Sequence, residues 1–600
     1  MDRAPGVASV SRAVLGISAF YHDAAAALVV DGQLVAAAQE ERFTRTKHDA
    51  SAPTHAVAYC LEQAGLRPDD VNLVAFYDKP LLKFDRIIET FMASAPRGYG
   101  AFARALPGWL RDKLFLQRRL ARTVGPGYRR RFVFAEHHES HAASAFFPSP
   151  FEQAAVLTFD GVGEWATASF GTGRDARLSL THELTFPHSL GLLYSAFTAF
   201  CGFRVNSGEY KLMGLAPYGK PRFAERILEA LVDLGDDGSF RLDQRYFSFG
   251  YSSRSTTKAF DDLFDGPGLP MGAEPGQREA DLAASVQWVT EEIVLRAARH
   301  VHRTTGMSRL CMAGGVALNS VANGRLVREG PFDEVWVQPA AGDAGGAVGV
   351  ALLAAHQLLG EPRRVQTGDG MARAALGPGF TDEEAAATLK AAGAHVVRFD
   401  DDISLCDAVA EQLDRGHTVG WFAGRMEFGP RALGGRSILA DPRRADMKER
   451  LNAQIKFREP FRPFAPSVLV EKVGDFFELG PAQSPYMLLV GQVREDAPVP
   501  IPAVTHVDGS ARVQTVDPGH GRFRLLLEAF ERRTGCAVVV NTSFNVRGEP
   551  IVCTPQDAWR CFTGTGLDVL VVERCLVLRS EQSPAVLAAG AAHAQTFRPD

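Results

Sequence analysis

Along the chain, short apolar runs closed by glycine or aspartate alternate with longer stretches carrying a three-to-four-residue apolar repeat. Residues 14–18 and 24–30 read as strands, with His22 and Asp23 in the turn between them. Asp31-Gly32 is a tight hairpin turn leading into a third strand over 34–39. A helix is expected over 53–64 and a strand over 71–76, and 81–127 reads as a helical, basic and aromatic insertion on the core. A buried strand over 154–159 then ends at Asp160-Gly161-Val162-Gly163 and is followed by another over 165–170. The opening outline of strand, polar turn and strand thus recurs, which predicts a duplicated α/β unit with ligands gathered where its halves meet. Coincidence of two hairpins is the plainer alternative.

Residues 206–219 alternate glycine with polar and aromatic residues and read as a substrate-facing loop. A long amphipathic helix covers 282–302, and a strand over 310–312 runs into Gly314-Gly315-Val316-Ala317-Leu318-Asn319. Residues 336–339 lead into Gly342-Asp343-Ala344-Gly345-Gly346, which opens a helix over 348–359. Glycines between a strand and a helix N-terminus let backbone N–H groups approach an anion, so Gly314, Gly315 and Asn319 are nucleotide-binding candidates. Neither stretch has dinucleotide or P-loop spacing. The apolar repeat lapses over 360–373, which divides the chain into domains 1–365 and 366–600. Beyond it, helices are expected over 384–392 and 404–415, and strands over 418–422 and 537–540.

Composition narrows the class. At 600 residues the chain exceeds one core, and 46% hydrophobic with 22% charged residues is ordinary for a soluble globular protein. A net charge of −5 leaves no electrostatic footprint for nucleic acid or anionic lipid as principal partner. The eight cysteines are scattered without a C-x-x-C pair, against a disulfide framework or a zinc ribbon. The apolar run after Arg12 stops at His22 and Asp23, too soon for a secretory segment, and no stretch reaches the roughly eighteen apolar residues of a membrane span. A cytoplasmic enzyme is expected, with residues 1–12 a loose leader and the alanine-rich close after 580 peripheral; a homodimer is left open.

Two constellations carry chemistry. His137 and His141, followed by Ala142, Ala143 and Ala145, sit one helical turn apart, so both imidazoles project from one face. Asp160 at a strand end supplies a carboxylate and Asp343 a further one, a mixed N/O set suited to a divalent first-row metal with open positions. Iron(II), manganese(II) and zinc(II) all satisfy such ligands; histidines that cap or pack a helix are the plainer reading. The second is basic: Gly424-Arg425, Gly429-Pro430-Arg431-Ala432-Leu433-Gly434-Gly435-Arg436-Ser437 and Lys456-Phe457-Arg458-Glu459-Pro460-Phe461-Arg462-Pro463-Phe464. Glycine and proline around the cations fix their backbone, and guanidinium groups bind phosphates bidentately. The strand end at Asn541-Thr542-Ser543-Phe544-Asn545 offers amides and hydroxyls as a nucleotide pocket wall.

Together, His-x-x-x-His, Asp160-Gly-Val-Gly, Asn-Ser-Gly-Glu-Tyr-Lys-x-Met-Gly-Leu-Ala-Pro-Tyr-Gly, Gly-Pro-Arg-Ala-Leu-Gly, Phe-Arg-Pro-Phe-Ala-Pro and Asn-Thr-Ser-Phe-Asn resemble the NodU/CmcH family of O-carbamoyltransferases, which includes antibiotic-tailoring and nodulation-factor enzymes. The resemblance runs over nearly the whole chain. It implies an α/β protein with an N-terminal actin-like ATPase (duplicated RNase H-like) domain and a C-terminal YrdC-like domain. It further implies that ATP, as its Mg(II) complex, and carbamoyl phosphate give carbamoyl adenylate, which passes inside the protein to a hydroxyl of a small-molecule natural product. By the same resemblance, His137, His141, Asp160 and Asp343 surround iron(II), and His22 lies next to the acceptor. Arg431, Lys456, Arg462, Arg512 and Ser543 match the residues for ATP and carbamoyl phosphate, with Asn541 and His506 beside them. His22 or Asp23 is the candidate base, and His22 is favoured because its ordinary pKa lies nearest neutrality. The rival expectations are a macromolecular acceptor, a non-catalytic nucleotide-binding scaffold of the actin-like superfamily, and a sugar kinase.

Overall fold

A computed structural model describes residues 11–590, apart from 101, 104–105, 107–114, 253, 367 and 481. Most of the expected leader, the last ten residues and part of the 81–127 insertion lie outside the described residues.

Apolar strands with small side chains build the N-terminal half. β1 (Ala13–Ser18), β2 (Ala25–Val30) and β3 (Gln33–Gln39) form an antiparallel meander, and β4 (Leu73–Phe76) and β5 (Phe132–Phe134) add in parallel. Asp31 and Gly32 take φ of 50° and 77°, the left-handed pair that a two-residue hairpin needs. β6 (Gln153–Phe159), β7 (Ala166–Arg174) and β8 (Arg177–Thr185) repeat the meander. A separate ribbon of β9 (Val232–Leu234) and β10 (Phe240–Leu242) precedes β11 (Arg309–Ala313) and β12 (Glu334–Val337), which extend β6 in parallel. The sheet orders are β3-β2-β1-β4-β5 and β8-β7-β6-β11-β12, with the same polarity at every pairing. Identical order and polarity make this a duplicated unit of the RNase H-like, actin-like type.

The two units meet through a pair of helices. Helix His137–Phe146 packs against helix Asp343–Leu353, which also covers β1. A Cβ at Gly349 would stand 1.8 Å from the Ser140 carbonyl oxygen, so only glycine allows this approach. The helix expected over 348–359 begins earlier, at Asp343, and widens into a π-turn at Ala354–Leu358. Gly345 and Gly346 lie inside it rather than in a turn. A second correction concerns 206–219, expected as a loop. It holds a helix, Glu209–Leu215, and a 3₁₀ turn, Ala216–Tyr218, because its run of leucine, methionine and alanine packs on the long helix Gln277–Thr305.

In the C-terminal half one ten-stranded mixed sheet comprises β13 (Val397–Arg398), β14 (Val419–Phe422), β15 (Arg436–Ala440), β16 (Ala465–Leu469), β17 (Phe477–Glu478), β18 (Leu489–Val493), β19 (Ser510–Val516), β20 (Val538–Ser543), β21 (Val569–Val572) and β22 (Cys575–Leu578). β15 and β20, paired antiparallel at its centre, point Arg436 and Ser543 to the same end. The halves are bound by buried polar contacts. Arg42 donates to the Gly429 carbonyl at 2.8 Å, and Arg45 to Ile551 O at 2.7 Å, Pro550 O at 2.9 Å and Glu549 at 2.9 Å. No described helix is long and apolar enough to cross a membrane.

Candidate active site

Helix His137–Phe146 starts where Glu164 accepts the His137 N–H at 3.0 Å and Glu139 folds back to the Glu136 N–H at 3.1 Å. These bonds satisfy amides that a helix N-terminus otherwise leaves open, and they fix the turn carrying both histidines. The Nε2 atoms of His137 and His141 stand 3.0 Å apart, and His137 Nε2 lies 3.0 Å from Asp160 Oδ2 and 3.6 Å from Asp343 Oδ1. Asp160 leaves the end of β6, where Gly314 (φ 91°) passes so close to Phe159 that a Cβ would meet its carbonyl oxygen at 2.1 Å. That crossing sets the Gly315 N–H on Asp160 Oδ1 at 2.9 Å. Asp343, first residue of its helix, faces the pair from the other unit, and its Oδ2 is buried without a hydrogen bond.

Electrostatics follow from this packing. Burial works against a charged His137, but the Asp343 and Asp160 carboxylates outweigh it and raise its pKa. Burial likewise pushes Asp160 up, yet His137 and His141 hold it well below the carboxylate range. The neighbouring His138 is lowered to about 3 by burial and by the His137 charge; it stays neutral, bonded to Thr158 Oγ1 at 2.8 Å. One ligand atom from each of His137, His141, Asp160 and Asp343 lies within 4.8 Å of the others. Two imidazole nitrogens facing two carboxylates, one carrying an orphaned buried oxygen, fit a divalent cation. The absence of thiolate from the set is unlike a structural zinc site.

The opening turn brings His22 to the same place. Its Nε2 lies 3.7 Å from Asp343 Oδ2, while its Nδ1 donates to Asp23 Oδ2 at 2.9 Å. Burial lowers its pKa, but Asp343, Asp23 and Asp160 carry it up to about 9. Those are carboxylates that a bound cation would neutralise. Asp23 is engaged on both oxygens, by His22 at 2.9 Å and by His48 at 2.8 Å.

Across the cavity, Arg431, Arg458 and Arg512 are half-buried and crowd one another. Burial, and in Arg431 and Arg458 the neighbouring Arg462, pushes both down, Arg431 to about 10 and Arg458 further. Arg512 is lowered by burial and then by Arg431, Arg458 and Arg462. The Nε atoms of Arg431, Arg512 and Arg547 are buried without partners. Lys456 closes a π-turn, Asn452–Lys456, and its Nζ reaches Asn545 Oδ1 at 2.7 Å and Ser543 Oγ at 3.2 Å; burial and the Arg458 charge depress it strongly. Glu459 is the carboxylate beside them, 3.3 Å from Lys211 and 3.6 Å from Arg462. Clustered, desolvated cations with orphaned donors call for a polyanion.

A single cavity of about 500 Å³ runs from the cations to the Asp160 and Asp343 carboxylates; His137 and His141 are buried and do not line it. It is lined by His22, Asp160, Gly315, Asn319 and Asp343 on one side and by Arg431, Lys456, Arg462, Arg512, Asn541 and Ser543 on the other. Gly314 and His506 do not line it: the first is covered by Phe159, and the second stacks edge-on against Tyr218 at 5.5 Å. Asn319 caps helix Ser320–Glu329 and pairs with Gln287 at 2.9 Å. Lining residues not singled out from the sequence include Tyr21, Tyr210 and Arg458. Arg458 carried a signal in its place in the proline-rich basic run, and Tyr210 in its place in the segment read as substrate-facing; Tyr21 carried none.

The family model described as carbamoyltransferase N-terminus matches residues 13–352, and that described as carbamoyltransferase C-terminus matches 410–579. The chain belongs to the carbamoyltransferase family, and it is an enzyme rather than a non-catalytic scaffold. It is 53% identical to the uncharacterized protein sll1178 of Synechocystis sp., over 95% of this chain and 97% of that one. It is 40% identical to the nodulation protein NolNO of Sinorhizobium fredii, over 94% of this chain and 80% of that one. Among solved structures, HypF of T. kodakarensis covers 58% of this chain and 48% of its own, with 14% identity and a TM-score of 0.30.

Proposed function

We propose that the chain is an ATP-dependent O-carbamoyltransferase that makes carbamoyl adenylate at the arginine cluster and spends it at the histidine cluster. The observation that carries this reading is the one cavity reaching both clusters, which gives a labile intermediate a continuous route between them. In the first step carbamoyl phosphate loses its phosphate to water. The resulting carbamate oxygen bonds the α-phosphorus of ATP, brought in as its magnesium complex, and pyrophosphate leaves. Arg431, Arg458, Arg462, Arg512 and Lys456 orient both anions and balance the charge on the departing pyrophosphate. In the second step an acceptor hydroxyl oxygen bonds the carbamoyl carbon, the bond to the AMP phosphate breaks, and AMP takes the electron pair. His22 takes the hydroxyl proton at Nε2, with Asp23 holding its Nδ1–H.

His137, His141, Asp160 and Asp343 would hold a divalent cation, iron(II) by the family resemblance, which when bound supplies a Lewis acid beside the transferring group. A cavity of about 500 Å³ suits a small hydroxyl-bearing acceptor, and the net charge of −5 offers no footprint for nucleic acid. The test is exchange of labelled pyrophosphate into ATP, with carbamoyl phosphate and magnesium and no acceptor. Exchange is expected from the chain alone; none under saturating substrates would sink the two-step reading.

A further inference from the structure

The opening turn holds more than the acceptor-facing histidine. Asp23 presents its two oxygens to two imidazoles, Oδ2 to His22 Nδ1 at 2.9 Å and Oδ1 to His48 Nδ1 at 2.8 Å. His48 belongs to a separate segment stitched to this turn. The Phe20 N–H donates to Ala50 O at 3.0 Å, and the Ala24 N–H to Asp49 O at 2.8 Å. The His48 N–H is itself anchored on Glu41 Oε2 at 2.7 Å, and Glu41 is buried beside Arg42 at 3.1 Å. Asp23 and His48 both adopt left-handed backbone, with φ of 51° and 55°. Left-handed backbone is uncommon for residues other than glycine, so two such residues facing each other across one hydrogen bond mark a geometry held by the surrounding structure.

A carboxylate with one hydrogen bond can still turn about its last torsion. A second donor on its other oxygen fixes the plane, and here that plane fixes the His22 ring. With Nδ1–H committed to Asp23, the His22 nitrogen left for a proton is Nε2, the one facing Asp343 in the cavity.

We propose that His48 is a positioning residue for carbamoyl transfer, acting through Asp23 to hold the His22 ring with Nε2 turned to the incoming nucleophile. The inference rests on the two-step reading and on His22 as base. In the step concerned, the nucleophile oxygen bonds the carbamoyl carbon and the bond to AMP breaks toward AMP. The nucleophile's proton goes to His22 Nε2.

The experiment uses the full chain with ATP, carbamoyl phosphate and water as the probe nucleophile. Labelled pyrophosphate exchange reports adenylate formation, and AMP release above the rate of free adenylate decay reports transfer. The variants are His48→Ala, His48→Asn and His22→Ala. Asparagine tolerates left-handed backbone and carries an N–H donor close to where Nδ1 stands, so it preserves the contact while removing the ring. His48→Ala is expected to leave exchange within about twofold and to slow AMP release by about tenfold or more, the scale of a misplaced catalytic group. His48→Asn is expected to restore most of that release. Undiminished release in His48→Ala would overturn the inference alone. Parallel loss of both half-reactions in both His48 variants would also overturn it, reducing His48 to a structural role, as would His48→Asn behaving like His48→Ala. Undiminished release in His22→Ala would instead overturn the base reading and this inference with it. Absent exchange in the unaltered chain would overturn the two-step reading itself.

Discussion

At the scale of single residues, the site is defined by groups that are costly to bury and have been buried together. Arg431 is half-buried, its Nε is buried without a partner, and its pKa is pushed down to about 10 by burial and by Arg462. Such a cation repays its desolvation only when an anion arrives. Arg431→Ala is therefore expected to lower pyrophosphate exchange by about a hundredfold, the effect of removing one preorganised charge partner worth ~3 kcal/mol. Initial-rate exchange at saturating ATP checks it, and a loss under about threefold would remove Arg431 from the adenylating step. The histidines give the complementary test. Replacing His137 and His141 together by alanine is expected to leave exchange standing and to abolish transfer, with the bound metal lost by elemental analysis. A double variant that keeps both its metal and its transfer would return the pair to helix-face histidines.

At the scale of elements, what positions the site is the N-terminus of helix His137–Phe146. Glu164 comes from the loop before β7, accepts the His137 N–H at 3.0 Å, and takes the Lys79 N–H at 2.7 Å on its other oxygen. Glu164→Ala leaves two amides open and is expected to cost about 1–2 kcal/mol, as a lost cap does. Because the frayed turn is the one bearing His137, weaker metal retention on dialysis is expected along with a lower Tm; a lower Tm with full retention would show that the cap serves the fold only. This level also shows what was legible in the sequence. The i, i+4 spacing announced the histidine pair, and Asp31-Gly32 announced its hairpin, because both are local properties. The start of helix Asp343–Leu353 was not legible, because glycines that admit close packing, Gly345 on the Ala340 carbonyl and Gly346 on Tyr77, look the same in sequence as glycines chosen for a turn. Residues 206–219 misled for a similar reason: glycine and polar density suggested a loop where burial against the long helix sustains helical turns. His48 gave no signal at all, since its importance lies in a left-handed φ and a partner 25 residues away.

At the scale of the whole molecule, neither half owns the site. The metal-type ligands come from both units of the duplicated domain, and the cavity that reaches them is closed on its far side by the C-terminal sheet. Its continuity depends on how the halves are seated, and Arg45 is one clamp between them. It donates to the Ile551 and Pro550 carbonyls and pairs at 2.9 Å with Glu549, whose side chain is 1% exposed. Glu549, Pro550 and Ile551 line the cavity, whereas Arg45 stands behind them, so its loss loosens the wall without removing a ligand-facing cation. Removing the cation beside a buried carboxylate costs roughly 3–5 kcal/mol, enough to open the seam between the halves for a measurable fraction of the time. Arg45→Ala is therefore expected to form carbamoyl adenylate normally but to let it escape. Polylysine reports the escape, since its amines capture carbamoyl groups and a polymer cannot enter a space of about 500 Å³. With ATP and carbamoyl phosphate, the unaltered chain should leave polylysine unmodified by mass, while Arg45→Ala carbamoylates it at an undiminished exchange rate. Equal modification by both proteins would mean that the intermediate leaves the enzyme in any case, and that the shared cavity is not its route.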